Sequence, residues 1–278
     1  MIQDIAPKKF DNQYHPAVPR ETDTVFFFRG HNRGDGTVLC HIDGDTITFP
    51  TVREVGSLPL RYLFSIDAEQ FFLAPAGEET ALPGGYAFEN TRALRAGIPQ
   101  HHCFAATTGF HLYMWYRESR FCGCCGHATV HDDKLRMMRC PACGNQIFPK
   151  IAPAVIIGLR NGNSLMMSRY AGRAYKGRAL LAGFCEIGET PEETVVREVM
   201  EEVGLKATNV TYYASQPWGF DANLLLGYFC DLDGSDAITL DTSELATAGF
   251  VPREEIVYEP NMASLTATMI EAFRRGEA

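Results

Sequence analysis

The run GFCEIGETPEETVVREVMEEVGL at residues 183–205 constrains this chain more than any other stretch. Thr190 and Glu193 stand at the spacing of a capping box, with Pro191 at the first helical position. Gly204 is a natural stop, because glycine accepts the left-handed conformation that ends a helix. The spacing predicts a helix over 191–203. At about 100° per residue, Glu198, Glu201 and Glu202 fall within an arc of about 100°. Val195, Val196, Val199 and Val203 take a separate arc, so valines would anchor the helix while three carboxylates stand together. Like charges three and four residues apart repel. Such a face is either simply solvated or meets a cation, and hard divalent ions such as Mg²⁺ or Mn²⁺ take carboxylate oxygens.

A second constraint lies upstream. Four of the nine cysteines form two Cys-x-x-Cys pairs, Cys122/Cys125 and Cys140/Cys143, with fourteen residues between the pairs. Residues 1–10 contain no apolar signal region, so export is not expected and metal binding is preferred to disulfides. Zinc takes four soft ligands at tetrahedral corners, and a tight knuckle supplies two of them. Gly126 and Gly144 follow the pairs and permit the positive φ that turns backbone amides toward sulfur. Cys124 is an extra thiol and His127 a possible substitute ligand, whereas Cys40, Cys103, Cys185 and Cys230 read as core residues.

The remaining sequence reads as α+β. Before residue 118, strands are expected over 24–29, 38–41, 46–49, 60–66 and 70–74, and a short helix over 88–96; His101 and His102 read as surface residues. After residue 149, strands are expected over 153–160, 164–168, 209–215 and 224–231, with a terminal helix over 264–275. Three domains follow: a β-rich domain at 1–118, a zinc ribbon at 119–148 and an α/β/α sandwich at 149–278. The longest apolar run, at 151–159, is too short to span a bilayer, so no membrane partner is expected. The net charge of −9 argues against general nucleic-acid coating. Residues 134–185 depart from that balance, with nine basic side chains and no Asp or Glu, a stretch that would suit a phosphate-rich ligand if it formed one face.

The spacing of Gly183, Glu189, Arg197, Glu198, Val199, Glu201, Glu202, Gly204 and Leu205 resembles the full Nudix box, with every fixed position present. A four-cysteine ribbon placed directly before it resembles the NADH pyrophosphatase branch, also called NAD-capped RNA hydrolases. The stretch Ser215-Gln216-Pro217-Trp218-Gly219-Phe220-Asp221 is similar to that branch's later signature, with Gly219 and Asp221 where the branch has prolines.

This resemblance implies metal-dependent hydrolysis of NAD(H) to nicotinamide mononucleotide and AMP, and removal of NAD caps from RNA by the same cleavage. It implies Mg²⁺ or Mn²⁺ on Glu198, Glu201, Glu202 and Glu244, support from Glu189, and an orienting salt bridge from Arg197. It places Phe148, Phe184, Gln216 and Trp218 at the substrate, and implies a cytoplasmic homodimer with structural zinc on Cys122, Cys125, Cys140 and Cys143. No histidine occurs after Pro149, so the general base there should be a carboxylate, with Glu202 and Glu244 as candidates. Two other readings are a broader Nudix hydrolase of ADP-ribose or dinucleoside polyphosphates and a non-catalytic nucleotide-sensing zinc-ribbon protein.

Overall fold

The computed structural model describes residues 1–30, 34–75, 82–172, 177–257 and 263–278. Two compact units divide the chain: residues 2–150 with 218–222, and residues 151–217 with 223–278. The first unit therefore contains both the N-terminal strands and the ribbon segment.

In the first unit, strands form mostly where β-branched and aromatic residues concentrate. Thr24–Phe26 pairs in parallel with Glu69–Leu73, which pairs antiparallel with Arg61–Ile66. Thr37–Asp43 pairs with Phe28–Arg29, Thr46–Thr48 and Ala87–Asn90. A single turn of helix, α1 (Val52–Val55), follows the capping residue Thr51. The main helix is α2 (Gln100–Glu118), which packs among Phe26, Phe28, Phe64 and Phe71 in the larger core.

Two expectations are corrected here. The helix expected over 88–96 is instead the strand Ala87–Asn90 followed by a short 3₁₀ turn, Thr91–Arg95, whose first free amides are met by the Asn90 side chain at 2.9 Å from the Arg92 nitrogen. The 19-residue α2 has no counterpart among the elements expected from the sequence. Its buried residues include Phe104, Thr107, Gly109, Phe110, Leu112, Tyr113, Trp115 and Tyr116, which face all around the axis. A helix buried all round carries no apolar stripe to read.

The second unit is built on a six-stranded mixed sheet. Ala152–Asn161 lies at its centre, parallel to Asn223–Leu232 and antiparallel to Ser164–Tyr170 and Leu181–Phe184. Ala207–Trp218 and Leu245–Pro252 complete it. The helices α3 (Pro191–Val203) and α4 (Leu265–Arg275) both pack on this sheet's central strand. In α3, Val195, Val199 and Val203 are fully buried, whereas Val196 is 43% exposed and does not anchor the helix as expected. Ser264 caps α4 by accepting from the Ala267 amide. Among the described residues, no helix is long and apolar enough to cross a membrane.

Two members of the basic stretch are engaged within their own units. Arg160 is paired with Asp231 at 2.9 Å, and Arg136 is half-spent on the carbonyls of Leu63 and Asn12. Arg173 and Lys176 lie outside the described residues.

Candidate active site and zinc ribbon

The ribbon is built from two copies of one local turn. In the first, the Gly126 amide donates to the Cys122 carbonyl at 2.8 Å, and in the second the Gly144 amide donates to the Cys140 carbonyl at 3.0 Å. Both glycines sit at φ near 75°, a conformation that costs other residues strain (75° and 76°). The turns bring the four sulfurs together, with Cys122–Cys143 at 3.6 Å and Cys125 at 3.4 Å from both Cys140 and Cys143. Zinc–sulfur bonds of about 2.3 Å require sulfurs about 3.8 Å apart, so the cluster fits a tetrahedral zinc ion. Burial raises the Cys122 thiol's pKa, but the Cys124 and Cys125 amides and the Asn145 side chain outweigh it and bring the value down to about 6. The four cysteines converge without His127, whose Nδ1 lies 3.2 Å from the Cys125 carbonyl. All nine cysteines are free of disulfides.

The second centre is α3 and the turn before it. The capping box forms as expected: Thr190 accepts from the Glu193 amide at 3.2 Å, and Glu193 accepts from the Thr190 amide at 2.8 Å. Pro191 begins the helix and Gly204, at φ 69°, ends it. That fixed start brings Glu189, which precedes the helix cap, within hydrogen-bond reach of Arg197. The Arg197 guanidinium then becomes a hub. It donates to both Glu189 oxygens at 2.7 and 3.0 Å, to Glu198 at 2.7 Å, to Glu201 at 2.8 Å and to the Phe184 carbonyl at 2.9 Å. Arg197 holds the Glu189 carboxyl down to about 2, with the Glu186 amide assisting.

The three helix carboxylates span a gradient of burial. Glu201 has a 59% exposed side chain, Glu198 one of 11%, and Glu202 as a residue is 2% exposed. Burial raises the pKa of Glu198, Arg197 opposes it, and the charges of Glu201 and Glu244 add to the rise. Glu244 is thus close enough to be felt electrostatically, although it sits on the exposed turn just before Leu245–Pro252. The Glu198 carboxylate occupies a cradle above Gly183, where an added Cβ would stand 1.9 Å from it. A larger residue at 183 would force the Glu198 carboxylate to shift. Oxygen donors alone, gathered around a carboxylate whose charge is disfavoured by burial and like neighbours, suit a hard divalent cation. Among the described residues these carboxylates do not gather with all their ligand atoms within 4.8 Å of one another, as the four cysteines do.

The aromatic candidates differ from one another. Phe184 and Phe148 are 55% and 53% exposed, so each offers a free ring face. Trp218 is half-buried, with Nε1 donating to Asp221 at 3.0 Å, Phe220 edge-on at 4.8 Å and the Arg95 guanidinium over its ring at 5.3 Å. Gln216 is a correction: it is fully buried, its amide nitrogen donates to the Ala263 carbonyl at 2.9 Å, and its oxygen accepts from the Leu265 amide at 2.7 Å. It caps α4 and has no surface to give a substrate. The hydrogen bond between Trp218 and Asp221 is not anticipated by the sequence, because the two residues lie outside any helix whose spacing would pair them.

Comparison with known proteins agrees with this geometry. Residues 150–273 match the NUDIX domain, and residues 117–148 match the NADH pyrophosphatase zinc ribbon domain. An NAD-capped RNA hydrolase NudC from Enterobacter sp. (strain 638) is 36% identical over 64% of this chain and 67% of its own. Proteins of the same description from Pectobacterium atrosepticum and Citrobacter koseri are 37% and 34% identical, each over 60% of this chain and 64% of their own. The chain therefore spans about two thirds of the length of the curated relatives it matches.

Proposed function

The chain belongs to the Nudix hydrolase family, in the branch with an NADH pyrophosphatase zinc ribbon, and from that premise we propose that it hydrolyses the pyrophosphate bond of NAD(H). Water adds to one phosphorus of the anhydride, the bridging P–O bond breaks, and nicotinamide mononucleotide and AMP leave as phosphate monoesters. Removal of an NAD cap from RNA is the same cleavage on a longer substrate, and the relatives' description supports it. The observation that carries the reading is a complete box helix on the same chain as an assembled four-cysteine ribbon.

Glu198, Glu201, Glu202 and Glu244 are the residues that would hold Mg²⁺ or Mn²⁺. A divalent ion bound there supplies positive charge against the phosphoryl oxygens. The protein's own groups do the rest. Arg197 holds Glu189, Glu198 and Glu201 through one guanidinium, which pre-positions their carboxylates. A carboxylate accepts the proton from the attacking water, and Glu202 and Glu244 are the candidates because no histidine follows Pro149. Phe184 and Phe148 each expose a ring, and each ring is by itself a proposed stacking surface for a nucleobase. A homodimer in the cytoplasm completes the reading, with Phe148 available to a second copy.

The test is product analysis at saturating Mg²⁺ and Mn²⁺ with NADH, ADP-ribose and NAD-capped RNA. We expect nicotinamide mononucleotide and AMP from NADH, and a loss on the order of 10²-fold in Glu202→Gln. Turnover of ADP-ribose without NADH would move the assignment to a broader Nudix hydrolase. No turnover of any of the three would leave a nucleotide sensor.

A further inference from the structure

Glu69, His101 and His102 belong to neither of these centres, and they converge in the first unit. Each offers one ligand atom, and those atoms lie within 4.8 Å of one another. Among the described residues, only the four ribbon cysteines form another such group. We propose that Glu69, His101 and His102 form a second metal site, which takes a borderline divalent transition ion of the zinc class through two imidazole nitrogens and one carboxylate oxygen.

The fold brings the three together from distant parts of the chain. Glu69 opens the strand Glu69–Leu73, and the two histidines lie in the first turn of α2. The His102 Nε2 is 3.0 Å from one Glu69 oxygen. An ion pair would need only that contact. Yet the His101 ring sits beside His102 with centroids 4.4 Å apart, and one of its nitrogens lies within 4.8 Å of the ligand atoms of both Glu69 and His102. Two adjacent imidazoles gathered around one carboxylate are more than a hydrogen bond uses.

The surroundings are those of a ligating carboxylate. Thr24, 4% exposed, donates through Oγ1 to the other Glu69 oxygen at 2.6 Å, which holds the carboxylate's orientation. The buried Asp23 fixes the next residue by accepting from the Gln70 amide at 3.2 Å. Phe49 and Phe71 stand edge-on to His102 at 6.4 and 5.9 Å and wall the site on that side. The Glu69 and His102 side chains keep 27% and 22% of their surface, which leaves a path for an ion and an open coordination position. The other charges that His101 feels are Lys8 and Asp67, which pair with each other at 3.4 Å. Imidazole and carboxylate together suit zinc, cobalt or nickel rather than magnesium. Bound there, the ion would clip the start of α2 to the sheet.

The experiment uses the whole protein with its ribbon zinc in place and excess Mg²⁺ to occupy the carboxylates of α3. Co²⁺ is titrated while visible absorption and histidine ring NMR signals are followed. All eight histidines precede Pro149, so these signals report on the first unit and not on the box helix. We expect one further equivalent of Co²⁺ to bind, with the His101 and His102 signals shifted and the others little changed. In His101→Ala and Glu69→Gln the absorption should be lost while the ribbon zinc remains. If the His101 and His102 signals of the natural protein do not respond to Co²⁺, or the absorption is unchanged in His101→Ala, the proposal is overturned. The NMR readout stands even if a variant fails to fold.

Discussion

Arg197 and Glu189 are joined by two parallel hydrogen bonds, Nε to Oε1 at 2.7 Å and Nη2 to Oε2 at 3.0 Å. The pairing is the fork geometry that guanidinium makes with carboxylate, and it leaves Nη1 free to hold Glu198 and Glu201.

A lysine cannot reproduce that fork, because an ammonium is a single point of charge. Arg197→Lys should keep the helix, which is held by its caps and valines, yet lower kcat by at least about tenfold, the scale of losing about 1.4 kcal/mol of transition-state stabilisation. Steady-state kinetics paired with far-UV circular dichroism check this. Near-normal turnover would remove Arg197 from the machinery.

Gly183→Ala tests the cradle beneath Glu198. The new methyl would stand 1.9 Å from the carboxylate, so one of them must move. Overpacking of this kind costs about 1–3 kcal/mol. We expect a lower Tm together with weakened dependence on added Mg²⁺ or Mn²⁺, measured as activity against metal concentration. An alanine variant with the natural metal profile would show that Glu198 can bind from elsewhere.

The Gly219 and Asp221 departures have a structural cause within the first unit. A Cβ on Gly219 would meet the Thr107 carbonyl of α2 at 2.5 Å, and Asp221 holds the Trp218 indole. Proline at 219 would therefore strain the loop rather than stiffen it. Gly219→Ala should lower Tm, and Asp221→Ala should release the indole and raise KM for NADH more than it lowers kcat. Tryptophan fluorescence reads the second effect, and an unchanged spectrum and KM would refute it.

Glu271 sets a pH dependence in α4. Its side chain is 6% exposed and accepts from Arg274 twice at 2.7 Å and from Arg275 at 2.6 Å. Arg274 carries its pKa from the ordinary 4.5 down to about 2, against the opposing effect of burial and with help from Arg275. The folded value lies below the unfolded one, so the stabilisation is present above the ordinary carboxylate range and is lost as pH falls toward about 2. Glu271→Gln should melt lower than the natural protein at neutral pH, with the gap closing between about pH 4 and pH 2. Melting curves in which the gap persists at low pH would contradict this.

What the sequence determined by itself was local. Thr190, Pro191, Glu193 and Gly204 fix α3 because caps and stops act within a few residues, and helix and box agree to the residue with the expected 191–203. The cysteine pairs and their glycines fix the ribbon for the same reason. Only the tertiary structure decided that Val196 faces outward, that Glu202 is buried, and that Gln216 is an internal cap for α4. It also decided that α2 exists, since residues buried on every side leave no period to read. The approach of His101 and His102 to Glu69 depends on a sheet and a helix 32 and 33 positions apart in the chain, and no signal within either segment anticipates it. Short-range hydrogen bonds are written in neighbouring residues, whereas burial and long-range convergence are properties of the packed whole.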